Sequence, residues 1–526
     1  MGATARRQVA LGAAVGVIAV ANAHAQLGPN PGAVLNPYGQ AAPTADTGNG
    51  RGFSIVPSVG ITETLTDNSQ LTSNSKQWDL VSQITPGIHI DGRGGRVKGF
   101  FDYTLTGIAY ARHSGSNEFQ NTLNSLVNVE AVENRAFIDL TANISQQSIS
   151  AYGTRSADNS LINSNRSEVR TLGVSPNLRG RLFGLADYEA RWTQNWSRNS
   201  TTDSANYDSS LATLKVTGDA GPRLLNWSAD ASHVAYSYDV GRRTVDDIIR
   251  GILYVTPEPQ LRLSLIAGRE STNIASVEKE TNNTPGFGVD WSPSERTQLS
   301  GQIEKRFFGN YHSLSFTHRT PRTVWKFSDS QDVTAGFGQP VAGTQGTAYD
   351  LLFTQFASIQ PDPAQRADLV NAFLRANGIS PTAQLFTGSL SSAPLRERRQ
   401  ELSFALLGVR DTITFGASQT QGSRLDTTLT IPDDFANGNI VKTRGFSIAA
   451  SHRLTPTAAL NVVGSMDRTS GSTTAQSSEL RSISVYWLDR LGPNGTISLS
   501  ARHSSYSSPT QPYEETGVSA AVGLRF

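Results

Sequence analysis

Apolar and polar residues alternate with a period of two in many short segments of the chain. In one such segment, Leu261, Leu263 and Leu265 alternate with Arg262 and Ser264. Because successive side chains of a β-strand point to opposite faces, each segment predicts a strand with one apolar and one polar face. Short turns that contain Pro or Gly alternate with longer polar loops between the segments. The pattern predicts an all-β fold of antiparallel strands.

The C-terminal segment is the clearest of these strands. It ends on an aromatic residue, and its other face carries small or polar side chains. A terminal strand of this kind resembles the insertion signal of bacterial outer-membrane β-barrels, which the barrel-assembly machinery recognises. We therefore expect its apolar face to contact outer-membrane lipid. That face is formed by Val518, Ala520, Val522, Leu524 and Phe526.

The repeated strands and turns predict a single transmembrane, antiparallel, up-and-down β-barrel over residues 52–526. Ser-Pro and Thr-Pro pairs, such as those at Pro257 and Pro293, are interpreted as short turns on the periplasmic side. Counting these turns gives about 22 strands, within a range of roughly 18 to 26. Only 37% of the residues are hydrophobic. A barrel strand nevertheless needs only about 9 to 11 residues with one apolar face.

Charged residues within the alternating segments are expected to face the lumen. A charge that faces lipid at the middle of the membrane costs about 2 to 4 kcal/mol. The predicted lumen-facing residues carry both signs, and the formal net charge is only +1, so the sequence predicts no strong ion selectivity. These residues are Lys98, Asp102, Arg262, Glu304, Arg306, Asp467 and Arg502.

The N-terminus predicts export across the inner membrane. Two arginines and a run of small apolar residues precede an Ala-X-Ala cleavage pattern at Ala23 and Ala25, so residues 1–25 are interpreted as a secretion signal. The paired arginines resemble a twin-arginine signal, but the residues around them favour general secretion. Residues 26–51, rich in Gly, Pro and Asn, predict a flexible periplasmic leader that is too short for the plug of a TonB-dependent receptor. The expected location is the outer membrane of a Gram-negative bacterium.

One long insertion, residues 329–398, interrupts the rhythm of strands and turns. It contains a predicted helix, 363–377, with Asp362 as the cap and Gly378 as the left-handed stop. The insertion either packs outside on the barrel rim or folds into the lumen and restricts it, and the sequence favours neither. Barrels of about 22 strands usually hold a plug. The candidate gating residues of this helix are Asp362, Arg366, Phe373, Arg375 and Gly378.

Candidate chemistry is sparse. The histidines show neither the His-Glu-X-X-His spacing of zinc proteases nor a nucleophile elbow. The chain has no cysteine, which excludes disulfides, thiolate metal sites and lipid attachment at a lipobox. We therefore expect no enzymatic activity, no catalytic residues, no metal site, no cofactor and no nucleic-acid partner.

Three segments carry a resemblance to a known family: Ser58–Asn68, Ile84–Ile88 and Pro361–Gly378. They are similar to the uncharacterised outer-membrane β-barrel family associated with PEP-CTERM/exosortase exopolysaccharide systems. The resemblance spans nearly the whole mature chain and implies a role beside the synthesis and export of extracellular polysaccharide. It implies no functional residues, because the family has no known activity.

Two functions remain open at this stage. The first is a channel or export porin for exopolysaccharide or other cell-surface material, with polysaccharide or export machinery as partners. The alternative is a non-conducting outer-membrane scaffold or adhesion protein that organises extracellular polymer through its loops.

Overall fold

The computed structural model describes residues 52–201, 206–219, 224–334, 389–426, 433–492 and 494–526. In these residues, 23 strands form one antiparallel sheet. The strands, in chain order, are β1 (Phe53–Thr66), β2 (Asp79–Arg93), β3 (Val97–Tyr110), β4 (Glu118–Val132), β5 (Ala136–Ser148), β6 (Arg166–Leu182), β7 (Ala186–Asn199), β8 (Tyr207–Asp219), β9 (Leu225–Tyr238), β10 (Thr244–Glu258), β11 (Leu261–Thr272), β12 (Glu280–Asn283), β13 (Gly286–Ser294), β14 (Thr297–Arg306), β15 (Gly309–Arg319), β16 (Thr323–Thr334), β17 (Leu395–Leu407), β18 (Asp411–Arg424), β19 (Ile440–Arg453), β20 (Ala458–Ser470), β21 (Ser477–Leu491), β22 (Gly495–Ser507) and β23 (Tyr513–Arg525).

The sheet closes because its first and last strands pair. The β1–β23 register runs from Ser58 opposite Arg525 to Thr66 opposite Gly517. Strands β12 and β13 both pair with β11, so they form one spanning strand interrupted at Thr284. The result is a closed barrel of 22 spanning strands, which confirms the predicted fold. Closure pairs the edges that an open sheet would leave exposed.

The two faces of the sheet differ as the alternation predicts. On β23, Val518 is 57% exposed on the outer face, whereas its neighbour Ser519 is only 8% exposed on the inner face. Trp291 and Trp325 also lie on the outer face, beside short turns. Aromatic residues at this height are typical of the girdle where a barrel leaves the membrane.

Two of the predicted Pro turns are wrong in position. Pro257 lies inside β10 and Pro293 inside β13, and the chain turns only after these strands end. The register shifts between Val255 and Glu258, and again between Trp291 and Ser294. Proline lacks the N–H that a regular ladder needs, so it is accommodated at a β-bulge near the strand end rather than in the turn itself.

The predicted insertion overlaps two strands. Because β16 continues to Thr334 and β17 begins at Leu395, both ends of the predicted range 329–398 belong to the wall. The predicted helix 363–377 lies outside the described residues, as do the predicted signal and leader. Within the described parts of the chain, no helix is long and apolar enough to cross a membrane.

Candidate functional site

The connection between β5 and β6, residues 149–165, runs along the inside of the barrel, and we call it the inner loop. Its two ends are tied together by Asn165. The amide N–H of Ser150 donates to Asn165 Oδ1 at 2.8 Å, and Asn165 Nδ2 donates to the Ser150 carbonyl at 2.9 Å. Gly153 packs against the same side chain. The inner loop is therefore a closed lobe whose neck is set by one asparagine.

A buried ion-pair network holds the lobe to the wall. Arg502 on β22 donates from Nη1 to Asp158 Oδ2 at 2.7 Å. The same guanidinium donates from Nη2 to Glu515 Oε1 at 2.9 Å and from Nε to Glu515 Oε2 at 3.1 Å. All three side chains are buried. Charge-assisted bonds of this kind are stronger than neutral ones, particularly where arginine binds a carboxylate through two nitrogens.

Three tyrosines of the inner wall bind backbone carbonyls of the inner loop. Tyr110 on β3 donates to the Ser160 carbonyl at 2.7 Å, and Tyr506 on β22 donates to the Gly153 carbonyl at 2.7 Å. Tyr513 on β23 donates to the Arg155 carbonyl. An irregular loop forms few hydrogen bonds within its own backbone. When such a loop is buried, its carbonyl groups therefore need hydrogen-bond donors from the surrounding residues. Here the wall supplies them.

Apolar contacts add to this attachment. Leu161 of the inner loop is fully buried and packs with Leu71, Leu480, Tyr506 and Tyr513. Complete burial of a leucine side chain contributes about 1.5 to 3 kcal/mol relative to its exposed state. A polar loop therefore carries its own apolar anchor against the inner wall.

The neck of the lobe also contacts the connection between β18 and β19. Asp434 accepts from Ser150 Oγ at 2.8 Å and from the Ala151 amide at 2.6 Å. Burial raises the pKa of Asp434, and these two hydrogen bonds lower it only in part. Burial likewise raises the pKa of Tyr152 to about 12. The phenol accepts from Asn439 Nδ2 at 3.1 Å.

Arg155 points from the lobe towards β20. Its Nη2 donates to Thr469 Oγ1 at 2.9 Å, and it acts electrostatically on Asp467, a predicted lumen-facing residue that is buried on the inner face. Arg155 Nε and Nη1 have no hydrogen-bond partner among the described residues. Both nitrogens are buried between the inner loop and the wall.

Other predicted lumen-facing residues form a second ion-pair network on the opposite wall. Arg306 on β14 contacts Glu270 Oε1 at 2.6 Å and Asp246 Oδ2 at 3.1 Å. Glu304, also on β14, accepts from Arg250 Nη1 at 2.8 Å. These five residues lie on the inward face of β10, β11 and β14. Both cations are paired, and three carboxylates surround the two of them.

The remaining predicted lumen-facing residues lie nearer the short turns. Arg262 binds Asp290 with 2.7 Å between Nη2 and Oδ2, and Asp102 pairs with His89 on the neighbouring strand. Lys98 is exposed on the same face of β3 as Asp102. Thus the structure brings Arg502 and Asp467 to the inner loop and leaves the other five elsewhere on the wall. The candidate gating residues, all outside the described residues, are Asp362, Arg366, Phe373, Arg375 and Gly378.

The inner loop was missed by the sequence analysis. Its signal is a set of apolar residues, Tyr152, Leu161 and Ile162, within an otherwise Asn- and Ser-rich loop that also holds opposite charges. A fully solvated loop would not bury these apolar side chains. The pattern can indicate that the loop packs on something, but it cannot identify the wall as its partner.

The histidine that most closely approaches a catalytic arrangement is His113. Its Nδ1 lies 2.7 Å from Asp79 Oδ2 and 3.3 Å from Ser69 Oγ, while its Nε2 contacts Gln77. In a catalytic triad, the serine and the carboxylate bind opposite ring nitrogens. Because both bind Nδ1 here, the cluster lacks that geometry.

No protein-family model matches the chain, and no curated protein matches it. In three dimensions it is similar to the FrpB iron transporter of Neisseria meningitidis, with a TM-score of 0.48, 10% identity, and coverage of 89% of this chain and 81% of that one. It is also similar to the siderophore receptor PirA of Pseudomonas aeruginosa, with a TM-score of 0.43, 7% identity, and coverage of 89% and 80%. A mutant ferric enterobactin receptor of the same organism gives a TM-score of 0.49, 8% identity, and coverage of 90% and 82%.

Such low similarity does not indicate what this chain binds. The architecture rests on the structure itself, which has a closed antiparallel wall, an apolar outer face and a polar inner face. A closed barrel satisfies every backbone group of its wall without water, which is the condition for crossing a bilayer with strands. The chain is a closed, antiparallel transmembrane β-barrel.

Proposed function

We propose that the protein is an outer-membrane channel whose inner loop narrows the extracellular half of the lumen. The observation that carries this proposal is the attachment of residues 149–165 to the inner wall through Arg502, three tyrosines and Leu161. A loop attached inside the lumen affects passage through the barrel, whereas anchoring at the cell surface does not require such a loop. The inner loop joins β5 to β6 at the end of the barrel where the longer connections lie. In outer-membrane barrels this end is extracellular.

We further propose that the cargo is neutral and hydroxyl-rich, such as an oligosaccharide on its way to the cell surface. The resemblance of the sequence to barrels associated with exopolysaccharide systems supports this choice. So does the inner wall, where most charges are paired and many accessible side chains are neutral hydroxyls and amides that can exchange hydrogen bonds with sugars. Examples on the inward face that are not buried are Thr104, Thr106, Gln298, Ser300 and Ser315.

Single-channel recording in planar bilayers tests the channel. We expect the intact protein to conduct weakly, and a variant in which residues 152–163 are replaced by a short Gly-Ser link to conduct more. Absence of conductance in both proteins, when both fold, would refute the channel and favour a non-conducting scaffold. Unequal gel mobility of boiled and unboiled samples establishes that each barrel is folded.

The cargo is tested separately by swelling of proteoliposomes in neutral oligosaccharides of increasing length. The variant without the lobe is expected to admit longer chains than the intact protein. If the intact protein and the variant without the lobe both conduct ions but admit no oligosaccharide, the proposed cargo is contradicted and the proposed channel is not.

A further inference from the structure

The outer surface of the barrel carries a cluster of six cations near its extracellular end. The residues face outward on β17 and β19 to β21, and we call them the basic band. Strands in a sheet lie about 4.8 Å apart, so the band covers roughly 19 Å of the circumference. Its members are Arg396, Arg398, Lys442, Arg444, Arg468 and Arg481.

Two of these arginines are direct cross-strand partners. Arg444 on β19 lies opposite Arg468 on β20 in the strand register, and both are exposed. Like charges directly opposite one another destabilise a sheet. Arg444 Nε donates only to a neutral partner, Gln419 Oε1, at 3.0 Å. Arg468 also lies opposite Glu479 on β21 in the strand register, but the Glu479 carboxylate binds Arg481.

Few carboxylates are available to the band. Asp329 binds Arg398 with 2.6 Å between Oδ2 and Nη2, and Glu479 binds Arg481 with 2.5 Å between Oε1 and Nη2. Among the described residues, Lys442, Arg444 and Arg468 form no ion pair. These three cations are therefore free to pair with an anion from outside the protein.

The level at which the band lies indicates where that anion resides. Towards the short-turn end of β19, the outward residues after Arg444 are Phe446 and Ile448, which are 48% and 52% exposed. On β21, Ile483 follows Arg481 in the same direction. The cations therefore lie immediately above the apolar surface that contacts lipid chains, at the height of the headgroups.

We propose that the basic band binds the phosphate groups of a phosphorylated lipid in the outer leaflet, with Arg444 and Arg468 as the central pair. Arginine suits this role because its planar group donates two parallel hydrogen bonds to a phosphate. Phe446 and Ile448 contact the acyl chains of the same lipid. The inference rests on the outer-membrane placement proposed above, but it requires neither an open lumen nor a cargo.

The other side of the barrel offers a matched control. Arg170 on β6 and Arg198 on β7 are also direct outward-facing partners in the register. Each has its own carboxylate, because Arg170 binds Glu168 at 2.7 Å and Arg198 binds Asp208 at 2.6 Å. This pair reproduces the geometry of the central pair without its unneutralised charge.

The test measures binding of diphosphorylated lipid A to the full-length folded protein in neutral detergent, by native mass spectrometry. Each Lys or Arg near a charged lipid surface accounts for about a fivefold change in affinity, so the Arg444→Gln, Arg468→Gln double variant should bind roughly 30-fold more weakly. The Arg170→Gln, Arg198→Gln variant should bind as the unmodified protein does. The Arg444→Lys, Arg468→Lys variant should retain most of the binding.

Three results would overturn the proposal. The first is equal binding of lipid A with and without its phosphates, which would indicate recognition of acyl chains alone. The second is an equal loss in the two glutamine variants. The third is full competition by millimolar inorganic phosphate, which would identify a free anion rather than a lipid as the ligand. Variants are compared only where boiled and unboiled samples differ in gel mobility, so a failure to fold cannot imitate a loss of binding.

Discussion

Arg502 on β22 and Asp158 in the inner loop join parts of the chain that are 344 residues apart, with 2.7 Å between Nη1 and Oδ2. Arg502 also binds Glu515, so the guanidinium stays paired when Asp158 is neutralised. Mutations at the two ends of this bond are therefore expected to differ in effect.

We predict that Asp158→Asn releases the inner loop and leaves the barrel intact. Hydrogen bonds to charged groups contribute about 1.5 to 3 kcal/mol, which is enough to raise the open population of the loop at least tenfold. Trypsin added from the extracellular side should then cleave after Arg155, which is buried while the loop is attached. Asp187→Asn, at an exposed carboxylate by a short turn, is the control and should leave Arg155 protected.

In contrast, Arg502→Met leaves two buried carboxylates without their cation. Removal of one partner from a buried ion pair costs about 3 to 5 kcal/mol. The barrel itself should lose stability, which appears as a lower temperature for the change in gel mobility. A melting temperature equal to that of Asp158→Asn would contradict this distinction.

The third prediction concerns the apolar anchor. Leu161→Ala should weaken the attachment of the loop by about 2 to 5 kcal/mol, because the side chain is fully buried. The readout is hydrogen exchange at the Ile162 amide, which donates to the Ser69 carbonyl at 3.0 Å. Leu65→Ala removes a leucine that is 52% exposed on the outer face and should not accelerate this exchange. Unchanged exchange in Leu161→Ala would show that the polar contacts suffice.

The sequence predicted the features that depend on residues close together in the chain, and it did not predict those that depend on residues far apart. Each strand is recognisable because its alternation involves residues two positions apart, and the apolar face of β23 is an example. Attachment of the inner loop instead depends on Leu161 meeting Leu480, and on Asp158 meeting Arg502. Nothing in the local pattern specifies such distant partners. The shift of Pro257 from a turn into β10 has a similar origin, since the bulge depends on pairing with β11.

Gly153 provides a test of the neck. A Cβ at this position would lie 2.4 to 2.6 Å from the side-chain atoms of Asn165, which tie the two ends of the lobe together. Gly153→Ala should therefore displace Asn165 at a cost of about 1 to 3 kcal/mol and increase tryptic cleavage after Arg155. The Gly153→Ala, Asn165→Ser double variant removes the clash and the tie together. If the clash between the added methyl group and Asn165 causes the increased cleavage, the effects of Gly153→Ala and Asn165→Ser on cleavage will be non-additive. Additive effects would exclude the clash.

The last prediction concerns pH and Asp434, which binds the neck from the connection between β18 and β19. Burial raises the pKa of this carboxyl above its ordinary value of 3.8, and nearby Asp433 raises it further. Ala151, Ser150 and Arg155 lower it, but they do not cancel the effect of burial. The attached state thus binds a proton more tightly than the released state, so attachment is strongest below pH 3.8 and weakens as the pH rises through the raised pKa. Conductance should accordingly increase as the pH rises from 3.8 through the raised pKa of Asp434. Asp434→Asn cannot ionise, so the difference between the two proteins isolates this carboxyl from the other titrating groups. An identical pH profile in both proteins would exclude Asp434 as the titrating group.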